Sequence, residues 1–196
     1  MKTIAAGLLL LLAALVGGCG GPDKGPAFEL TDITGADFGR DIRLTDHTGK
    51  PRSLAEFKGK VVVVFFGYTH CPDVCPVTLA ELAMVAKELG PDAGRMQALF
   101  ITVDPERDTR EVLAKYVPAF NPSFLGLYGD MDATLRTAKE FKVYFHKQGA
   151  KAGEYTVDHS AGTYIYDPQG RLRLFASYGQ GAPKLLHDIR LLLQGA

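Results

Sequence analysis

"VVVVFFGYTHCPDVCP" (61–76) is the stretch on which the fold of this chain turns. Residues 61–69 are a continuous β-branched and aromatic run. Such a run has no polar face, so it reads as a strand buried on both sides at the centre of a sheet. Cys71 and Cys75 follow, four apart, each directly before a proline. Pro76 suits the first helical position, where its missing N–H goes unmissed. Its ring clashes with the carbonyl four residues back and resists a regular helix through 71–75. The expectation is a central strand, a tight turn carrying both sulfurs, and a helix over 77–90 closed by Gly90.

On either side, strand and helix signals alternate. Residues 42–44 read as a short strand before the turn "DHTGK" (46–50), and 96–105 as the next long strand. A helix is expected over 109–120, with Asp108 as its cap and Glu111 completing a capping box. A short strand at 124–129 and a helix at 132–141 follow. Residues 142–148 and 154–160 read as a hairpin, 162–179 as two strands around Pro168–Gly170, and 182–194 as an amphipathic closing helix. The class is α/β. In open α/β sheets, sites collect beyond the carboxyl ends of strands. The ends of 61–69 and 96–103 should therefore bring Cys71, Cys75 and the loop after Val103 together.

The N-terminus reads as a targeting segment. Lys2 is the only charge before Ile4–Val16, which is apolar but for glycine. That is short of the ~20 residues a membrane span needs and has the length of a signal-peptide core. It ends in "VGGC" (16–19), small residues and then a cysteine, the pattern of a lipoprotein cleavage site. The expected organisation is a signal peptide at 1–18, a lipidated Cys19 with a flexible tether over 19–40, and one domain at 41–196. Lipoprotein processing adds more than one acyl chain, enough for stable membrane anchoring on the extracytoplasmic side.

The chain has three cysteines, so lipidation of Cys19 leaves only the pair. An exported protein meets an oxidising compartment. As a staple the pair would add little, because closing so short a loop removes little unfolded-state entropy. A redox couple and a pair of metal ligands both remain open. The net charge of +0 leaves no electrostatic footprint for nucleic acid.

The element order resembles the thioredoxin-like fold, with a central mixed sheet flanked by helices. Within it, residues 41–193 resemble the SCO/SenC family of copper-handling proteins for cytochrome c oxidase assembly. The resemblance rests on "GYTHCPDVCP" (67–76), "VDPERDT" (103–109) and "DHSAGTYIYDPQG" (158–170). It implies that Cys71, Cys75 and His159 are copper ligands. It also implies a copper-site subunit of the oxidase as acceptor and a copper donor upstream.

The residues themselves permit this chemistry. Thiolates are soft ligands that select Cu(I) and zinc over hard ions. Structural zinc normally takes four ligands, whereas two sulfurs and one imidazole suit copper, as Cu(I) or Cu(II). The helix N-terminus beside the cysteines is expected to favour thiolate. His159 lies just before strand 163–167, where many thioredoxin-like proteins carry a cis-proline facing their cysteines; here no proline is present. Asp158 is a candidate to orient the His159 ring, Asp73 to tune charge or satisfy turn N–H groups, and Asp104 to support the site from its loop. His70, His47, His146 and His187 are expected in solvent-facing or packing roles. Two functions compete. One is a tethered copper metallochaperone without turnover. The other is a thiol–disulfide oxidoreductase that uses the same pair to reduce the oxidase's copper-site cysteines. A peroxidase is a poor match, because the twin "CPDVCP" does not resemble a single peroxidatic cysteine.

Overall fold

The computed structural model describes residues 27–151 and 154–196. Cys19, the expected signal peptide and the tip of the hairpin lie outside them. The first strands are short: β1 (Thr31–Asp32), β2 (Leu44–Asp46) and β3 (Pro51–Arg52). Then come β4 (Val61–Gly67), α1 (Val74–Glu88), β5 (Met96–Thr102), α2 (Arg110–Phe120), β6 (Leu125–Tyr128) and α3 (Met131–Glu140). The chain closes with β7 (Phe145–Lys151), β8 (Glu154–His159), β9 (Gly162–Tyr166), β10 (Leu172–Ser177) and α4 (Ala182–Leu193).

Eight strands form one mixed sheet in the order β1-β10-β9-β4-β5-β6-β2-β3. Every residue of β4 and of β5 is buried; β4 is apolar throughout, and the polar residues of β5, Gln97 and Thr102, bond through their side chains. The two pair in parallel from Val61↔Met96 to Gly67↔Thr102, so they end at the same level. The Val103 N–H donates to the Gly67 carbonyl at 2.9 Å, which carries the pairing one step further. The segments after Gly67 and after Thr102 therefore start side by side. β9 runs antiparallel to β4, which brings its N-terminal end, just after His159, to that same edge. β7 and β8 form a separate two-stranded hairpin, paired Phe145↔His159 at its base.

Several local expectations shift. α1 starts at Val74 rather than Val77, with Pro76 still in the first turn, where N–H groups have no intrahelical partner. The early strand is Leu44–Asp46 rather than 42–44. Asp108 is not the cap of α2: Thr109 is, its hydroxyl accepting from the Val112 N–H. Asp108 is buried instead and bonds elsewhere. The folded unit also begins before Asp41. Leu30 is buried, β1 pairs with β10, and the Glu29 and Leu30 N–H groups donate to Asp188 of α4.

The "DHTGK" turn is built on one carboxyl. Asp46 is fully buried and accepts from the Thr48 N–H at 2.7 Å, the Thr48 hydroxyl at 2.6 Å, the Lys50 N–H at 3.1 Å and Arg52 Nε at 2.7 Å. Burial alone would raise its pKa, but these bonds outweigh it and bring the group down from 3.8 to about 2. A depressed carboxyl pKa contributes stability above the unfolded value and loses it as pH falls through the folded value. Asp46 should thus add about 2 kcal/mol above pH ~4, lost by pH ~2. Urea unfolding between those limits should show this slope in the native chain and lack it in Asp46→Asn.

Candidate metal centre

The Cys pair occupies the turn between β4 and α1. The Cys71 N–H donates to the Tyr68 carbonyl at 3.3 Å, and the Cys71 sulfur accepts the Cys75 N–H at 3.4 Å. Cys71 thus serves the first turn of α1, where backbone donors lack helical partners. It is half-buried, whereas Cys75 lies on α1 and is completely buried; both are free thiols.

His159 ends β8 and reaches the same place. Its Nε2 lies 3.7 Å from the Cys75 sulfur. Its Nδ1 lies 3.1 Å from the Ser160 carbonyl, which can only accept, so Nδ1 carries the proton and Nε2 presents a lone pair. Phe65 and Tyr68 meet the ring edge-to-face, with centroids 6.5 and 6.0 Å away. Burial lowers the His159 pKa and keeps the imidazole neutral. Burial also pushes the Cys75 thiol well up, with the Tyr68 N–H offsetting only part of this. The expected thiolate preference from the helix N-terminus is therefore not met at Cys75: desolvation of the buried sulfur exceeds the dipole. In the metal-free protein the Cys75 S–H donates to Nε2, and a bound metal would displace that proton. Among the described residues, no three His, Cys, Asp or Glu side chains close into a ready-made cage. Cys71 is turned to the α1 backbone, its sulfur accepting the Cys75 N–H.

The acidic candidates sort differently. Asp158 is exposed on β8, paired across the hairpin with His146, and the ring of His159 is held by Ser160 instead. Asp73 is exposed at the α1 N-cap with no side-chain cap bond, so it does not satisfy the turn. Asp104 is fully buried and bonds Arg107 and the Tyr155 hydroxyl, away from the sulfurs. His70 is exposed, with Nδ1 3.2 Å from the Thr69 hydroxyl. His47 and His187 meet the Gly126 N–H and Asp188, respectively.

Two contributors escaped sequence reasoning. Asp108 ties the Cys loop to β5, accepting from the Thr69 N–H at 3.0 Å, the Thr69 hydroxyl at 2.6 Å and the Thr102 hydroxyl at 2.6 Å. Gly67 makes room for the sulfur: a Cβ there would lie 2.9 Å from Cys75 Sγ and 2.8 Å from Phe100. A glycine ending a strand pattern is the available signal for such a close approach. Gly67→Ala should cost about 1–3 kcal/mol by overpacking. Urea unfolding measures this loss.

The family model described as SCO1/SenC matches residues 25–194. The chain is 39% identical over 154 residues to the mouse mitochondrial protein called SCO2 homolog, covering 76% of this chain and 60% of that protein. It thus spans less than two thirds of that relative. The structure of Bradyrhizobium japonicum ScoI with copper bound superposes with TM-score 0.72 at 39% identity, covering 79% of this chain and 98% of that one. The apo Sco1 protein of Thermus thermophilus gives TM-score 0.77 at 40% identity, covering 87% and 99%.

Proposed function

This chain belongs to the SCO1/SenC family, and from that premise we propose that it binds copper as cargo through Cys71, Cys75 and His159. The observation that carries the reading is the approach of Nε2 to the Cys75 sulfur, 3.7 Å, with the Cys71 sulfur against the next turn of backbone. Two soft sulfurs and one neutral imidazole are a donor set for copper rather than for hard ions. The copper-bound Bradyrhizobium relative supports the same choice. In this reading the protein is a metallochaperone. It takes copper from an upstream donor and passes it by ligand exchange to the copper-site subunit of cytochrome c oxidase. Lipidated Cys19 anchors it to a membrane, with the domain on the extracytoplasmic side. The test is copper content and the absorption spectrum of the reduced full chain loaded with Cu(II), beside its His159→Ala form. Loss of the thiolate–copper bands on substitution is expected. An unchanged spectrum and affinity would remove His159 from the ligand set.

One observation favours a second use of the pair. Cys71 is accessible and Cys75 is not, an arrangement suited to an attacking and a resolving thiol. Cys71 thiolate would attack a target disulfide and release one target thiolate, which takes up a proton. Cys75 would then displace the second target sulfur as Cys71–Cys75 forms, leaving the target reduced and the pair oxidised. This activity should vanish in Cys71→Ser and persist in His159→Ala, measured as thiol release from a disulfide peptide by the reduced chain.

A further inference from the structure

The β7–β8 hairpin carries His159 but lies outside the main sheet. Its far half is fastened by the loop after β5. Tyr155 donates its hydroxyl to Asp104 Oδ1 at 2.7 Å. Arg107 pairs with Asp104 through Nε, donates from Nη1 to the Tyr155 carbonyl at 2.9 Å, and stacks its guanidinium 3.6 Å from the Tyr155 ring centre. Lys147 on the neighbouring strand reaches Glu106 of the same loop at 2.7 Å. Burial, and then the bond to Asp104, push the Tyr155 phenol up to about 12, so it stays a donor at neutral pH.

Side chains two apart on a strand share a face, so Tyr155, Val157 and His159 point the same way. Val157 is buried against the body, with Tyr155 clamped on one side of it and His159 at Cys75 on the other. Tyr155 stands ~13 Å from His159 along the strand. At its other end the same loop holds the cysteines. The Asp104 N–H donates to the Thr102 hydroxyl at 3.0 Å; that hydroxyl donates to Asp108, and Asp108 accepts from Thr69, two residues before Cys71.

We propose that residues 102–108 are a spacer that sets the distance between His159 and the Cys pair. It does so through a hydrogen-bonded path, Tyr155–Asp104–Thr102–Asp108–Thr69, braced by Arg107 at the Tyr155 end. Tyr155, Asp104, Arg107 and Thr102 are then positioning residues of the metal centre, touching none of its donor atoms. This rests on His159 being a copper ligand.

The test uses the full chain with Tyr155→Phe, which keeps the ring and its stacking, and Thr102→Val and Thr102→Ser, which remove and keep the relaying hydroxyl. The first two should weaken Cu(II) affinity by about 10–100-fold, the range for groups that orient metal ligands. They should shift the thiolate–copper bands toward those of His159→Ala, and Thr102→Ser should restore both. In the metal-free protein, Tyr155→Phe should speed amide exchange over 156–159 while leaving β4 and β5 protected. If Tyr155→Phe and Thr102→Val keep native affinity and spectrum while His159→Ala loses them, the spacer is refuted and the ligand assignment stands. If His159→Ala also binds normally, the ligand assignment fails and the spacer falls with it.

Discussion

Cys75→Ser should leave the full chain folded but unable to retain copper through dialysis, with affinity reduced by more than about 100-fold. Loss of a group that merely orients a ligand costs about 10–100-fold, and a donor sulfur stands closer to the metal than that. Serine fits the space, because it is smaller than cysteine and Cys75 is packed against the Cβ-free face of Gly67. Its oxygen sits farther from His159 Nε2 than the sulfur's 3.7 Å, and a small shift of the ring toward the shorter side chain restores a hydrogen bond there. What it does not supply is a thiolate, since a hydroxyl does not ionise at neutral pH and is a hard donor. The urea midpoint should therefore move little while bound copper disappears. A Cys75→Ser protein that kept stoichiometric copper after dialysis would show that the site lies elsewhere.

Asp188→Ala should be the most destabilising single change among the polar residues, at about 2–4 kcal/mol. Asp188 is fully buried in the middle of α4. One oxygen accepts from the Leu30 N–H at 2.8 Å and the Glu29 N–H at 3.1 Å; the other lies 3.0 Å from Glu29 N and 2.8 Å from His187 Nδ1. Alanine leaves the buried Leu30 N–H and the part-buried Glu29 N–H unpaired, and an unpaired buried group costs about 1–3 kcal/mol. For a domain of this size that is a fall of about 10 °C in Tm. The loss should be local first. Residues 28–33 hang on Asp188 and on the short β1–β10 pairing, so their amides should exchange early, with β4 and β5 still protected. An unchanged Tm would mean that the N-terminal segment holds through β1 alone.

These predictions draw on different depths of legibility. β4 was readable because a strand buried on both faces must be apolar, and 61–67 is so at every position; β5 was readable from its apolar centre, although Gln97 and Thr102 are buried there through side-chain hydrogen bonds. α1, α2, α3 and α4 followed from helical spacing. β1 and β3 did not, since two residues carry no period. Asp108 was misassigned because "RDT" offers two capping side chains, and local sequence cannot say which one the sheet end claims. The actual partners of Asp108 at Thr69 are 39 residues away. Tyr155 and Asp104 are 51 apart, and nothing in either neighbourhood announces the other.

The chain's residues alone determined its class and its two long central strands, because periodicity is a local property, and its motifs carried the family resemblance that implied the three donor candidates. Only the tertiary structure decided that Cys75 meets His159, that its thiol is held protonated by burial, and that Cys71 is turned to the α1 backbone. It alone showed that Asp158 and Asp73 face solvent, while Asp104 and Asp108 sit inside the frame. Burial and hydrogen-bond partnership depend on how distant strands end at one edge, and that is a property of packing.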